Sequence, residues 1–166
     1  MDLIKTKAKL LIATDTYFPK KDGVVIFLER ILPELAETYD ITIVVPRFGK
    51  EQKKINGCNL VTLPITKKIK LAGYKSIEPS LKNRKEIIRL VKESDIIWAQ
   101  DLALIGASCI YYGKKYKKPT ITYVHQITWE HAVDVLKLNE KIKNFLSTTV
   151  RRLVKYLYNK CNLILI

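Results

Sequence analysis

The feature that most constrains the fold is a series of short, largely apolar runs spaced along the chain. Six such runs occur, at residues 9–14, 40–46, 58–65, 95–100, 119–125 and 162–166. Their apolar residues are consecutive instead of alternating with polar ones, so a strand built from them would be buried on both faces. That is typical of a parallel sheet covered by helices, and the pattern therefore predicts an α/β fold.

Segments with helical periodicity separate most of these runs. They lie at residues 24–37, 81–94, 102–116 and about 134–159. Residues 66–80 are basic and show neither period, so irregular structure is expected there. Right-handed crossovers between the strands predict a Rossmann-like, doubly wound parallel sheet with strand order about 3-2-1-4-5-6 and helices on both faces. Ligands of such sheets bind beyond the carboxyl ends of the strands, so residues that follow strands are the first candidates for a site.

Charge is the unusual feature of the composition. The chain has 30 Lys+Arg against 16 Asp+Glu, a formal net charge of +14. Such a field attracts phosphorylated substrates, anionic membrane or nucleic acid, although a lysine-rich solvated surface explains the same count. The three cysteines have neither metal nor disulfide spacing, and no apolar stretch approaches the roughly 18 residues of a spanning helix. A cytoplasmic protein without a metal site is therefore predicted.

The turn after the first strand places Asp22, Gly23 and Val24 at the start of a predicted helix. Neither G-x-G-x-x-G nor G-x-x-x-x-G-K-[ST] occurs, which disfavours a dinucleotide site of the usual kind and a P-loop. Gly23 would let a ligand approach the backbone, and the helix start would offer free N–H groups to a phosphate. A strand-to-helix turn capped by Asp22 explains the same residues, so both interpretations stay open.

Two further strand ends carry polar candidates. His125 ends the strand at residues 119–125, where a histidine serves as a general acid or base, as a hydrogen-bonding group or as a structural residue. Glu130 is a second candidate in the loop that follows. Asp101 stands between a predicted strand and a predicted helix, and its predicted main role is the N-cap of that helix.

Two basic segments are candidates for contact with an acceptor or an anionic membrane. The first segment contributes Lys67, Lys68, Lys70, Tyr74 and Lys75. The second contributes Arg151 and Arg152, which lie in the last predicted helix beside an apolar stripe. Such a helix either packs its stripe on the core or lies on anionic lipid, where each cation contributes about 1 kcal/mol.

The order of these segments resembles that of a known enzyme family, the retaining, two-domain GT-B glycosyltransferases of family 4, also called group 1. The family's opening is similar to TDTYFPKKDGVVIFLERILPELAETYDITIVVP. A later family block is similar to SDIIWAQDLALIGASCIYYGKKYKKPTITYVHQITWEH, and the helix and strand before the interdomain region are similar to YLYNKCNLILI. The resemblance covers nearly the full chain.

The resemblance implies a role for the chain and for several residues. Residues 1–166 would be the N-terminal, acceptor-side domain, and the C-terminal nucleotide-sugar domain would lie outside this chain. The enzyme would transfer a sugar from a UDP- or GDP-sugar to an acceptor with retention, and Asp22-Gly23-Val24 resembles the subgroup that acts on lipid-linked or phospholipid acceptors. His125 would reach the donor sugar, and Gly23 would face the donor phosphates and the acceptor. Neither a permanent cofactor nor a metal is expected, and this chain alone would be inactive.

Two alternatives remain from the residues alone. One is a basic, non-catalytic α/β module at the inner face of an anionic membrane. Nucleic acid is a weaker partner, since the aromatic residues are not interleaved with arginine. The other is a GT-B nucleotide-sugar epimerase, which would bind one nucleotide-sugar and need no acceptor.

Overall fold

The computed structural model describes residues 6–19, 21–49, 52–71, 74–125 and 140–166. Its strands are β1 (Ala8–Ala13), β2 (Tyr39–Pro46), β3 (Cys58–Leu63), β4 (Ile65–Leu71), β5 (Tyr74–Ile77), β6 (Ile96–Ala99), β7 (Thr120–Tyr123) and β8 (Leu163–Leu165). The described helices are α1 (Gly23–Thr38), α2 (Leu81–Glu93), α3 (Leu104–Lys115) and α4 (Glu140–Tyr158). Within the described residues the predicted strands and helices are found, with ends that differ by one or two residues in most cases; residues 134–139 of the last predicted helix lie outside the description.

Six of the strands form one parallel sheet in the order β3-β2-β1-β6-β7-β8. Counted along these six strands alone, the order is 3-2-1-4-5-6, as predicted. The central strands are apolar on both sides because each face of the sheet carries its own buried cluster. Ile12 and Ile43 belong to the cluster under α1, whereas Leu11 and Val44 belong to the cluster under α2 and α3. The Rossmann-like α/β fold is thus confirmed.

The segment predicted to be irregular forms a β-hairpin instead. β4 and β5 pair in antiparallel fashion, with Ile65 opposite Ile77 and Lys70 opposite Lys75. A register shift falls between these two pairs. The prediction was wrong because the lysines and the shift together break the strict alternation by which an exposed strand is normally identified in a sequence.

Two loops that follow neighbouring strands are tied together. The Tyr17 side chain is fully buried, and its hydroxyl donates to the Lys53 carbonyl at 3.0 Å. The Gln52 amide nitrogen lies 3.3 Å from the Phe18 carbonyl and 3.0 Å from the Pro46 carbonyl. The chain beyond β1 is therefore held against the chain beyond β2.

Candidate functional site

The candidate site lies where β1, β6 and β7, which are neighbours in the sheet, end at its carboxyl edge. Asp15 follows β1, Gln100 and Asp101 follow β6, and His125 follows β7. Because these strands are parallel, polar residues distant in sequence meet at one edge, where Rossmann-like sheets bind ligands.

A pair of carboxyl groups joins the ends of β1 and β6. The Asp101 Oδ2 atom accepts hydrogen bonds from the Thr14 hydroxyl at 3.0 Å and the Asp15 N–H at 2.7 Å. The Asp15 Oδ2 atom in turn accepts from the N–H groups of Ile105 and Gly106, at 2.7 and 3.2 Å. Asp101 therefore fixes the backbone that follows β1, and Asp15 fixes the backbone that follows β6.

The predicted N-cap role of Asp101 is wrong. Helix α3 begins at Leu104, and its N-cap residue is Ala103, which makes no side-chain cap hydrogen bond. Asp101 Oδ1 accepts only from the Ala103 N–H, at 3.2 Å, ahead of the helix. The first-turn N–H groups of α3 bond instead to Asp15, a residue some 90 positions earlier in the chain. Their carboxylate partner thus comes from another strand.

Burial and the nearby Asp101 carboxylate raise the pKa of Asp15 well above its ordinary value. Hydrogen bonds from Gly106 and Ile105 act in the opposite direction but do not prevail. Asp15 Oδ1 is buried and has no hydrogen-bond partner within the residues that the structure describes. Asp15 therefore keeps its proton in a pH range where an exposed aspartate would have lost it.

Gly106 is required by a close approach of two backbone segments. A Cβ atom on Gly106 would lie 1.9 Å from the Asp101 carbonyl oxygen and 2.9 Å from its carbonyl carbon. Backbone atoms cannot rotate out of the way, so a side chain here would push α3 away from the end of β6. The Asp15–Asp101 pair depends on this approach, because Gly106 N–H is one of its donors.

His125 lies just beyond β7 and is surrounded by aromatic rings. Its ring stacks on Tyr123 with the centroids 4.3 Å apart, and it meets the edge of Phe27 at 5.5 Å. Its Nε2 atom lies 2.9 Å from Gln100 Oε1. Burial lowers the pKa of His125, and the charges of Asp101 and Asp22 oppose this shift only partly. The ring is thus held in one orientation and favoured in its neutral form.

Asp22 caps α1, as the capped-turn interpretation predicted. Its side chain accepts from the Val25 N–H at 3.0 Å, and α1 begins at Gly23. Gly23 is exposed, and a Cβ atom there would meet nothing within 4 Å among the described residues. Neither a left-handed backbone nor internal packing in that part of the chain explains the glycine.

Val24 is half-buried against the core beneath α1. Lys21 pairs with Glu29 at 3.3 Å, so its charge is partly matched.

The remaining predicted site residues lie apart from this edge or outside the description. Lys67, Lys68 and Lys70 are on β4 and Tyr74 is on β5, where only the backbone is described. Lys75, also on β5, is exposed. Arg151 and Arg152 are exposed on α4, whose Val154 and Leu157 are buried. Glu130 lies outside the described residues.

The sequence analysis assigned no role to Asp15 or Gln100. Both are nearly fully buried, at 7% and 1% relative exposure, and both lie within two residues of the end of a buried strand. A polar residue next to a continuous apolar run, at the edge where ligands bind, was the available indication. Its partners were not available from the sequence, because they lie on other strands and helices.

Two searches of the described residues gave negative results. No three histidine, cysteine or acidic side chains lie together in a way that would hold a metal ion. None of the helices in the described ranges combines the length and apolar character that crossing a membrane requires.

The chain was compared with known proteins. The family model described as Glycosyltransferase Family 4 matches residues 21–166. Among solved structures, the apo form of the glycosyltransferase GlyE from Streptococcus pneumoniae TIGR4 is 16% identical with a TM-score of 0.36, and the match covers 95% of this chain and 33% of that one. A second GlyE structure from the same organism is 15% identical with a TM-score of 0.33, and the match covers 89% and 33%.

A DNA/pantothenate metabolism flavoprotein from Streptococcus pneumoniae is 12% identical with a TM-score of 0.40, and the match covers 84% of this chain and 77% of that one. A comparison with curated proteins found no match. The chain therefore spans about a third of the length of the GlyE chains.

Proposed function

The chain belongs to glycosyltransferase family 4, and on this premise we propose that it is the acceptor-side, N-terminal domain of a GT-B enzyme. That enzyme transfers a sugar, such as a hexose, from a UDP- or GDP-sugar to an acceptor with retention of the anomeric configuration. A second domain, outside this chain, holds most of the nucleotide-sugar. The proposal is supported by the family match over residues 21–166.

One observation carries the choice of site: His125 stands at the carboxyl edge of the sheet with its ring fixed by Gln100, Tyr123 and Phe27. A half-buried, neutral imidazole is suited to hydrogen bonding with a sugar hydroxyl through the ring nitrogen that Gln100 does not occupy, because a hydroxyl group both donates and accepts. We assign His125 to the donor sugar and the start of α1 at Gly23 to the phosphate side of the cleft.

The chemistry proposed for this class needs no resident metal. The leaving diphosphate would be stabilised by fixed positive groups and dipoles, of which the N-terminus of α1 is one on this domain. The second domain would supply the rest. On this chain the contribution is therefore one of orientation and electrostatics, made by groups whose positions are set by the sheet.

Replacing His125 tests the assignment. In the longer enzyme, His125→Ala is expected to lower kcat/KM for the nucleotide-sugar at least about tenfold, because a hydrogen bond made to the reacting sugar is lost. His125→Phe is the matched variant, since it keeps an aromatic ring against Tyr123 and Phe27. Steady-state kinetics and urea unfolding should be measured on both variants.

The expected result is a similar loss of turnover in both His125 variants, with near wild-type stability in His125→Phe. Loss of turnover only in proportion to loss of folding would assign His125 a structural role instead. Full turnover in His125→Phe would remove it from the site.

We also propose that the domain contacts anionic membrane through α4, which would bring the enzyme to a lipid-linked or phospholipid acceptor at the inner membrane face. Phe145 and Leu153 are 71% and 54% exposed on this helix, and Arg151 and Arg152 are exposed on the same helix. Exposed aromatic and aliphatic side chains next to cations are suited to the interface of an anionic bilayer.

The membrane proposal is tested with vesicles. The double variant Arg151→Gln/Arg152→Gln removes two charges near the lipid, each worth about 1 kcal/mol, so binding to phosphatidylserine vesicles should fall roughly tenfold or more. Lys82→Gln/Lys85→Gln removes two exposed charges from α2 and is the matched control. Equal losses in both variants would show a general charge effect without a defined surface.

A further inference from the structure

Gln100 lies at the centre of the site, where the proposed function uses it only as a contact that fixes the His125 ring. Its side chain is 1% exposed and follows β6, and its Oε1 atom is 2.9 Å from His125 Nε2. Its backbone N–H donates to the Ala13 carbonyl at 2.9 Å, which fixes the residue at the end of β1. A glutamine amide held in this way is a rigid partner for the imidazole.

We propose that Gln100 is a positioning residue that keeps His125 in the neutral tautomer with its proton on Nε2. In that tautomer Nδ1 carries the lone pair, so the ring accepts a hydrogen bond there. This inference rests on the proposed function. Within it, a hydroxyl group of the sugar substrate donates a hydrogen bond to His125 Nδ1, whereas a carbonyl or phosphate oxygen has no hydrogen to donate there.

The direction of the hydrogen bond follows from the atom that Gln100 presents. Its Oε1 atom faces His125 Nε2, and an amide oxygen can only accept, so the ring nitrogen carries the hydrogen. The carboxyl groups of Asp101 and Asp22 both act electrostatically on His125, and Tyr123 stacks on it. When Gln100 presents its oxygen, the same hydrogen bond persists whether His125 is neutral or protonated, because Nε2 bears a hydrogen in both forms. If Gln100 presented its nitrogen, protonation of the ring would set two N–H groups against each other.

Burial favours the neutral ring and acts together with this contact. The pKa of His125 is lowered mainly by burial. In the described part of the chain, Gln100 Nε2 is buried and has no hydrogen-bond partner. A buried unpaired amide N–H is unfavourable. The unpaired amide N–H belongs to Gln100, the residue that orients His125, and such locally unfavourable groups are typical of functional sites.

The experiment reads the tautomer directly. The chain contains two histidines, so ¹⁵N imidazole NMR of the His131→Asn variant reports on His125 alone. We expect the Nε2–H tautomer above the pKa of the ring. Gln100→Met keeps the length of the side chain and removes the hydrogen bond, and it should give a mixture of tautomers. Gln100→Glu places a carboxylate on Nε2–H and should raise the proton affinity of the ring about tenfold or more.

Gln52→Met is the matched control, since Gln52 also bonds to fixed oxygens through its amide but in another loop. It should leave the His125 tautomer unchanged. An Nδ1–H tautomer in the protein with native Gln100, or an unchanged tautomer in Gln100→Met, would overturn the proposal.

Kinetics of the longer enzyme test the functional half. Gln100→Met should lower kcat roughly threefold to tenfold, the loss expected for one hydrogen bond. Gln100→Glu should move the acidic limb of the pH–rate profile to higher pH. Unchanged kcat in Gln100→Met, with the tautomer lost, would overturn the positioning role. An inactive wild-type enzyme would refute the proposed function, whereas the tautomer result would stand.

Discussion

At the scale of single residues, the same Asp→Asn substitution should affect stability differently at Asp15 and at Asp101. Asp15→Asn should be well tolerated, because the amide oxygen can still accept from Ile105 and Gly106 and burial already favours the neutral form of the Asp15 side chain. Asp101→Asn should cost about 2 kcal/mol or more, since both of its oxygens already accept hydrogen bonds and an NH₂ group would face a donor. Urea unfolding of the two variants measures the difference.

The pH dependence of stability has a definite sign at Asp15. The folded state raises its pKa, so folding binds the proton more tightly than the unfolded chain does. Its contribution is fully present below the ordinary value of 3.8 and is lost as the pH rises through the raised pKa. Asp15→Asn should therefore become progressively more stable than wild type as the pH rises. A constant difference from pH 4 to pH 8 would contradict the raised pKa.

At the scale of elements, two glycines at helix starts are expected to behave in opposite ways. Gly106→Ala should destabilise the fold by about 2 kcal/mol or more, because the new Cβ would meet the Asp101 backbone. Gly23→Ala should stabilise it by roughly 0.5 kcal/mol, since Ala has the higher helix propensity and the described surroundings leave room. Thermal unfolding measures both.

Gly23→Ala also tests whether a substrate approaches the start of α1. If a substrate approaches the start of α1, as proposed, the added methyl group should lower kcat/KM in the longer enzyme while stability rises. A variant that is more stable and equally active would restrict Gly23 to the turn.

The elements also show why the hairpin and part of the site could not be predicted from the sequence. Consecutive apolar residues predicted each strand of the main sheet, because burial on both faces leaves a local pattern. The hairpin of β4 and β5 left no such pattern, since its lysines and register shift interrupt it. The hydrogen bonds from the first turn of α3 to Asp15 could not be predicted for a different reason. Asp101 stands just before the helix and was the expected N-cap residue by sequence position. Asp15 is distant in sequence and reaches the helix only because β1 and β6 are neighbours in the sheet.

At the scale of the whole molecule, His125 and Asp22 were predicted from position alone, whereas Gln100 and Asp15 required the strand order and the register. Knowing that β1, β6 and β7 are neighbours identifies the edge, but not which buried polar atoms meet there. The order of the strands could therefore be predicted from the sequence, and the hydrogen-bond partners within the site could not.

The proposed division of the enzyme makes a prediction at this scale. Residues 1–166 alone should transfer no sugar, because most groups that hold the nucleotide-sugar are assigned to the other domain. The test compares this chain with the longer protein in a radiolabelled sugar-transfer assay, with circular dichroism to show that the chain is folded. Transfer by the folded chain alone would refute the division.

The tie between the loops that follow β1 and β2 bears on how tightly a ligand can bind. Tyr17 and Gln52 already hold residues 14–19 in place without any ligand. Ordering a loose loop upon binding costs about 1–2 kcal/mol of conformational entropy for each residue fixed. In the proposed cleft, this loop is already ordered in the folded chain, so a substrate that contacts it would lose mainly its own translational and rotational freedom.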